Sequence, residues 1–301
     1  VVKMALRQKR LANDICYAIG GRHIHPLTIR VGGFTSFPKE AELVDLKERL
    51  IASRKDLEAT VELLLSVAHK LPAFERECEC VALTNPPRYE FYSGMIGSTV
   101  TDPVAPNDYR SKVIERTVPH SHAKFCSSNG EPYQVGALAR YNLNHVYLRP
   151  EAKAVAATLG LNGPCANPFF FSIAQVVECV ECAEYAIELI DHFLDAGFDP
   201  ALDGHRDVKV QAGCGTGAVE VPRGLLFHEY EVDDEGIIVG ANLIIPTGQN
   251  LANIEADFAG FVPTILDKDR AQIELLLEML VRAYDPCISC ATHMLKVEWV
   301  D

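Results

Sequence analysis

Apolar positions along the first twenty residues fall at Met4, Leu11, Ile15, Ala18 and Ile19. That spacing predicts a helix, and Gly20-Gly21 supplies its stop. No capping Ser, Thr, Asp or Asn and no initiator Met stand at its start, so residues are expected to precede Val1 in the natural protein. A Gly-, Pro- and His-rich loop covers 20–37. A second helix is predicted from Lys39 to Lys70, burying Leu43, Leu46, Leu50, Leu57, Val61, Leu64 and Leu65. β-branched and aromatic residues over 79–101 read as strands, followed by a loop at 102–109. Val135–Ala139 reads as a short strand leading into a helix. Asn167-Pro168 is a cap and first-turn proline, and Gly197 is the matching stop. The helix between them runs through Val176, Val180, Ala183 and Ile187. Alternation over 217–246 predicts a hairpin turning at Asp233–Gly236. Two helices follow, the last capped by Asp267 and ended at Asp285-Pro286, since proline disfavours helix in the residue before it. The expected class is α+β, mainly α, as one helical domain over 1–301 with small β-sheets.

Composition narrows what such a domain does. The chain has 301 residues, 48% of them hydrophobic, enough for a packed core. No run reaches the roughly 18 apolar residues of a membrane span. A net charge of -13 repels nucleic acid and acidic membrane surfaces. Ten cysteines do not fall in the pattern of a small stapled scaffold. A reducing compartment, the cytoplasm, is expected, with most cysteines buried as small hydrophobes.

The strongest chemical signal is Asp285-Pro286-Cys287-Ile288-Ser289-Cys290-Ala291-Thr292-His293. A Cys-x-x-Cys turn brings two thiolates within reach of one soft or borderline metal ion, and His293 can bind the same ion or another. The plain alternative is two incidental cysteines. A four-coordinate ion needs two further ligands. Cys179 and Cys182 are candidates, although an i, i+3 pair on a helix more often packs into the core. Cys78 and Cys80 share one strand face. Cys16, Cys126, Cys165 and Cys214 read as structural. Gly20–Pro26 carries Arg22, His23 and His25 and is either a site loop or a loop held by its own hydrogen bonds. Arg223, between Pro222 and Gly224, sits on a stiff backbone and can aim its fork at an anion, or serve as a surface ion-pair partner. Ile244–Asn250 ends a strand with the Thr247 hydroxyl.

In this order the segments resemble a nickel–iron hydrogenase large subunit. Ile19–Pro26 with Val31–Phe34, Val135–Arg140 (where proline is more usual than Ala137), Glu220–Gly224, Pro246–Asn250 and Asp285–His293 carry the resemblance, which covers essentially the whole chain. The loops look most like the cytoplasmic, bidirectional, NAD(P)- or deazaflavin (F420)-linked branch. The resemblance implies a buried nickel–iron centre held by four cysteines, with carbon monoxide and cyanide on iron. Cys287 would bind nickel terminally and Cys290 would bridge the metals. The family's other Cys-x-x-Cys lies before the point where this sequence begins, so the chain as given is not expected to hold an intact centre.

The resemblance also implies uneven splitting of dihydrogen, with Cys287 as the base that takes the proton. Arg223 would hang over the metals and contact a cyanide, Thr247 would donate to the other cyanide, Pro222 and Pro246 would also contact these iron ligands, and Asp285 would orient Arg223. As a base, arginine would first have to lose a proton, about 7 kcal/mol uphill at pH 7. His293 would bind a structural magnesium or iron, and a maturation endopeptidase would cleave after it, removing Met294–Asp301. That tail could instead be a permanent strand. Implied partners are an iron–sulfur small subunit, NAD(P)- or F420-linked electron-transfer subunits and nickel-insertion proteins. Three alternatives stand at this point: a quinone-linked, complex I-like relative, a zinc or iron–sulfur protein, and an inactive assembly protein.

Overall fold

The computed structural model describes residues 2–197, 207–291 and 295–300. In chain order the elements are α1 (Val2–Gly20), β1 (Ile29–Arg30), β2 (Gly33–Phe34), α2 (Glu40–Ala68), β3 (Glu79–Thr84), β4 (Met95–Ser98), β5 (Ile114–Arg116), β6 (Phe125–Ser127) and β7 (Tyr133–Gln134). Then come α3 (Ala137–Asn144), α4 (Pro150–Thr158), α5 (Phe171–Ala196), β8 (Gly213–Val221), β9 (Gly224–Val232), β10 (Ile238–Ile244), α6 (Pro246–Phe261), α7 (Arg270–Ala283) and the short α8 (Ile288–Ala291). No described helix is long and apolar enough to cross a membrane. The described chain divides into two compact units, one of Val1–Val67 with Glu178–Val210 and the other of Ala68–Val177 with Gln211–Asp301.

The first unit is helical. Leu11, Leu43, Leu46, Leu50, Leu57, Val61, Ile187 and Ile190 form its buried side chains. Leu65, expected inside, is 43% exposed, because the apolar residues at the end of α2 spread around the helix instead of keeping to one stripe. Ile19 likewise faces outward. Arg7 bonds both Asp56 oxygens at 2.5 and 2.8 Å, and Arg54 forks onto Glu184 at 2.5 and 2.7 Å. Gly20–Thr35 is a loop closed on itself. Leu27 N–H donates to the Gly20 carbonyl and Thr35 N–H to that of Thr28, each at 2.8 Å. The Thr28 hydroxyl donates to the Ile19 carbonyl at 2.5 Å.

The second unit holds three small sheets. β10-β9-β8 is an antiparallel meander, β3 lies between antiparallel β4 and parallel β7, and β5 pairs β6. Leu83, Ile96, Tyr109, Tyr133, Val135, Leu225 and Phe227 pack into one core between them. Alternation over 217–246 concealed an extra turn. The segment holds two hairpins, one at Asp233–Gly236 as expected and one at Pro222-Arg223, where Val221 pairs with Gly224. The strand expected at Val135–Ala139 ends earlier, at Gln134, and α3 starts at Ala137. The cause is Gly136, whose φ of 112° breaks the strand. Residues 106–111 form a 3-10 turn within the expected loop. Asp269, not Asp267, caps α7, its side chain accepting from Gln272 N–H at 2.9 Å.

Candidate metal-thiolate site

The site is built from three turns of the second unit. The first is the two-residue hairpin that carries Arg223. Gly224 has φ 134°, and a Cβ there would lie 2.5 Å from Val135 Cγ2 and 2.9 Å from the Gly136 nitrogen. A Cβ on Gly136 would in turn lie 3.0 Å from the Arg223 carbonyl oxygen. The Val135-Gly136 and Arg223-Gly224 backbones therefore touch, and only glycine permits it. Beneath the hairpin lies Arg140 on α3. It pairs with Glu220 at 2.8 Å, with side-chain exposures of 1% and 0%. Its guanidinium also donates to the carbonyls of Val221 at 2.9 Å and Pro222 at 3.0 Å. Glu220 accepts the Leu83 N–H at 2.8 Å, and the Phe91 ring lies under the guanidinium at 5.6 Å. Removing one member of such a pair costs about 3–5 kcal/mol.

The second turn starts α6. Pro246 takes the first helical position, where its missing N–H costs nothing. Pro246, Thr247, Gln249 and Asn250 are all buried. The Asn250 amide bonds both backbone groups of Val135, accepting from N–H at 2.9 Å and donating to C=O at 3.1 Å. Gln249 donates to the Leu225 carbonyl at 2.5 Å and accepts the Tyr133 hydroxyl at 3.0 Å. The Thr247 hydroxyl oxygen accepts the Cys287 N–H at 3.2 Å, leaving its own hydrogen to donate.

The third turn follows α7. Tyr284 is fully embedded, donating to Asp257 at 2.5 Å and accepting from Asn253 at 2.7 Å. Arg76 pairs with the same Asp257 at 2.5 Å. Burial nonetheless raises the Asp257 carboxyl above its ordinary value. After Tyr284 the chain takes a left-handed step at Asp285, φ 48°, which Asp tolerates. The Asp285 carbonyl then accepts Arg223 Nε at 2.5 Å, while its carboxylate meets Arg223 Nη2 and Gln175 Nε2, each at 3.3 Å. Arg223 and Asp285 are both partly open to solvent.

Cys287 and Cys290 flank the start of α8, and Cys290 N–H donates to the Cys287 carbonyl at 3.2 Å. The neighbouring Cys290 thiol holds Cys287 below the ordinary thiol range, and Cys287 in turn pushes Cys290 above it. The Ser289 hydroxyl, 3.4 Å from the Cys287 sulfur, adds to the stabilisation of the Cys287 thiolate. Two adjoining soft donors are what a thiolate metal site needs. Among the described residues no group of three or more His, Cys, Asp or Glu side chains could hold a metal ion. The chemistry of the two thiols suits two ligand positions of a soft-metal centre completed by other donors.

Arg223, Asp285, Thr247 and Cys287 are thus in one place, joined by hydrogen bonds. Pro222 is exposed at the hairpin tip and Pro246 buried at the α6 start. His293 lies outside the described residues. Cys179 and Cys182, expected to pack inward, are exposed, because Val177, Val180, Glu181 and Ala183 occupy the buried face of α5. Only Cys80 and Cys126 are buried, while Cys16 and Cys214 are exposed, so burial of most cysteines does not hold. Gln175, Ser289, Gln249 and Asn250 carried no role in the sequence reading. Only the Asn250 position, inside a Pro-Thr-Gly-Gln-Asn run after an apolar strand, offered a signal.

A guanidinium bonded to the Asp285 that precedes a paired-thiol turn, on a mixed fold with small sheets, suits a thiolate metal site. Comparison with known proteins narrows this. The family model described as nickel-dependent hydrogenase matches residues 79–293. The alpha chain of sulfhydrogenase 1 from Pyrococcus furiosus is 32% identical over 98% of this chain and 68% of its own length. A chain of the F420-non-reducing hydrogenase from Methanothermobacter marburgensis is 30% identical over 97% of this chain and 66% of its own. The solved structure of an NAD+-reducing [NiFe]-hydrogenase in the H2-reduced state superposes with a TM-score of 0.84, at 25% identity over 97% of this chain and 68% of that one. The Ni-Fe-Se hydrogenase of D. vulgaris Hildenborough shares the fold, with a TM-score of 0.66 at 21% identity over 95% of this chain and 68% of that one. This chain belongs to the nickel-dependent hydrogenase family. It spans about two thirds of the length of these relatives. Family membership favours the hydrogenase reading over the quinone-linked, zinc-binding and inactive alternatives.

Proposed function

We propose that this chain is the part of a hydrogenase catalytic subunit that supplies Cys287 and Cys290 as nickel–iron ligands, with two further thiolates from outside the residues given. The observation that carries the proposal is the adjoining thiol pair with Arg223 hydrogen-bonded to the Asp285 that precedes it. Cys287 and Cys290 would both hold the centre through their sulfurs. When bound, the centre, with carbon monoxide and cyanide on iron, supplies reversible heterolytic cleavage of dihydrogen.

The chain's own residues do the rest. Cys287 Sγ would take the released proton, as a thiolate with a lone pair left to accept one and the Ser289 hydroxyl 3.4 Å away. Arg223, hydrogen-bonded to Asp285, would offer its remaining donors to a cyanide nitrogen, and Thr247 would offer its hydroxyl to another. The exposed Pro222 and buried Pro246 stiffen the turns that present them. His293 would bind magnesium or iron. Electrons leave through an iron–sulfur small subunit, since the described residues hold no cysteine cluster for one of their own. NAD(P)- or F420-linked partners, nickel-insertion proteins and a cytoplasmic location complete the reading. The tail after His293 is removed by an endopeptidase on maturation.

Two measurements on the full-length subunit in its native complex test this. Nickel content should be stoichiometric, and Cys290→Ala should abolish both nickel retention and hydrogen-dependent dye reduction. A variant that retains both removes Cys290 from the centre. Intact mass of active enzyme should end at His293, and a retained tail refutes the processing step.

A further inference from the structure

We propose that Arg140 and Glu220 are positioning residues for Arg223, setting the direction of its guanidinium from beneath the hairpin. The inference rests on the proposed function. Arg223 is one of only two residues in the turn between β8 and β9. The direction of its side chain therefore follows the plane of the Pro222-Arg223 peptide. That plane is not left to solvent. Arg140 takes the carbonyls of both Val221 and Pro222, at 2.9 and 3.0 Å. These belong to the two residues immediately before Arg223. A planar guanidinium fork can fix two carbonyls and a carboxylate at once, while an ammonium on a flexible stem cannot.

Arg140 is itself fixed. Glu220 holds it at 2.8 Å. Glu220 is pinned in turn, its carboxylate by the Leu83 N–H at 2.8 Å and its own N–H by the Phe91 carbonyl at 2.7 Å. The residue just after the hairpin is Gly224, pressed on Val135 and Gly136, and Gly136 caps the start of α3, the helix that bears Arg140. One rigid body thus grips Arg223 on both sides, and the far end of its side chain meets Asp285. A fully buried ion pair is weak evidence for stability, since packed apolar residues would serve as well. Holding two carbonyls beside a functional arginine is a task apolar residues cannot do.

The test uses the full-length, metal-loaded complex with Arg140→Lys, Glu220→Gln, Arg223→Lys and the double variants. Infrared cyanide bands, nickel content and turnover are read together. Arg140→Lys and Glu220→Gln are expected to keep nickel and to shift the cyanide bands in the same direction as Arg223→Lys. Turnover should fall on the order of 10- to 100-fold, the usual effect of a misplaced group. In the Arg223→Lys background the same changes should shift nothing further. Unshifted bands, or losses that multiply with those of Arg223→Lys, overturn the inference. Glu220→Gln keeps the side-chain shape and carries the test if Arg140→Lys does not fold. Absence of cyanide bands in the unaltered complex refutes the hydrogenase reading instead. The positioning claim is then decided by crystals of Glu220→Gln, where an Arg223 Nε still bonded to the Asp285 carbonyl overturns it.

Discussion

Replacing Gly224 by alanine adds one methyl group at the point where two turns meet. Two costs follow from the geometry. The residue sits at φ 134°, which L side chains rarely adopt, and such strain costs about 1–3 kcal/mol. The new Cβ would also fall 2.5 and 2.8 Å from Val135 side-chain atoms and 2.9 Å from the Gly136 nitrogen. A backbone nitrogen cannot rotate away, so the overlap must be relieved by shifting the hairpin, at about 1–3 kcal/mol more. The sum, about 2–6 kcal/mol, is a large part of the 5–15 kcal/mol that holds a typical domain folded. Gly217→Ala is the control on the neighbouring strand. Its Cβ would meet nothing within 4 Å, so a change within about 0.5 kcal/mol is expected. The assay is urea unfolding of the full-length metal-free subunit, comparing midpoints at constant m-value. If Gly224→Ala unfolds at the same midpoint as the unaltered protein and Gly217→Ala, the close approach of the two backbones is wrong.

Other outcomes follow from the same packing. Asn250→Ala leaves both backbone groups of Val135 unsatisfied in the core, and should lower unfolding free energy by about 2–5 kcal/mol in the same urea assay. Tyr284→Phe strips Asp257 and Asn253 of a shared buried partner, and a loss of about 1–3 kcal/mol should appear as a lower melting temperature. Burial pushes the Cys126 thiol up to about 12. Its folded pKa is thus raised, so its contribution to stability is full below the ordinary thiol pKa of about 8.5 and fades as pH climbs towards 12. Cys126→Ala should flatten that alkaline limb in melts taken from about pH 8.5 up towards 12, the window those two values define. In metal-free protein at pH 8, Cys290, which is exposed, should be alkylated well before Cys80 or Cys126, which are buried. Mass mapping checks the order, and bound nickel should protect Cys290.

Helices of the right place and length were legible because long apolar periodicity survives any tertiary context, as in α2 and α5. Turns were legible where their chemistry is local. Asn167 capping ahead of Pro168 and the Asp233–Gly236 turn both depend on neighbours in sequence. What was hidden depends on distant neighbours. Pro222-Arg223-Gly224 was legible as a stiff segment but not as a two-residue hairpin, which is tight because Val135 and Gly136 press on Gly224. The strand end at Gly136 has the same cause. Cys179 and Cys182 looked like core residues from spacing alone, yet the face of α5 that is buried carries Glu178 and Glu181, which no hydrophobic pattern would choose. The thiol pair and the Pro-Arg-Gly turn announced themselves as candidates. Their hydrogen-bonded meeting through Asp285 is a tertiary fact, created by the left-handed step that one residue takes after Tyr284.

The most direct measurement is an infrared spectrum of the native complex containing the full-length subunit. Bands from iron-bound carbon monoxide and cyanide are the predicted result, and their loss on Cys287→Ser would tie them to this turn. A fully matured, metal-replete preparation without those bands would contradict the nickel–iron assignment and leave Cys287 and Cys290 as ligands of some other metal.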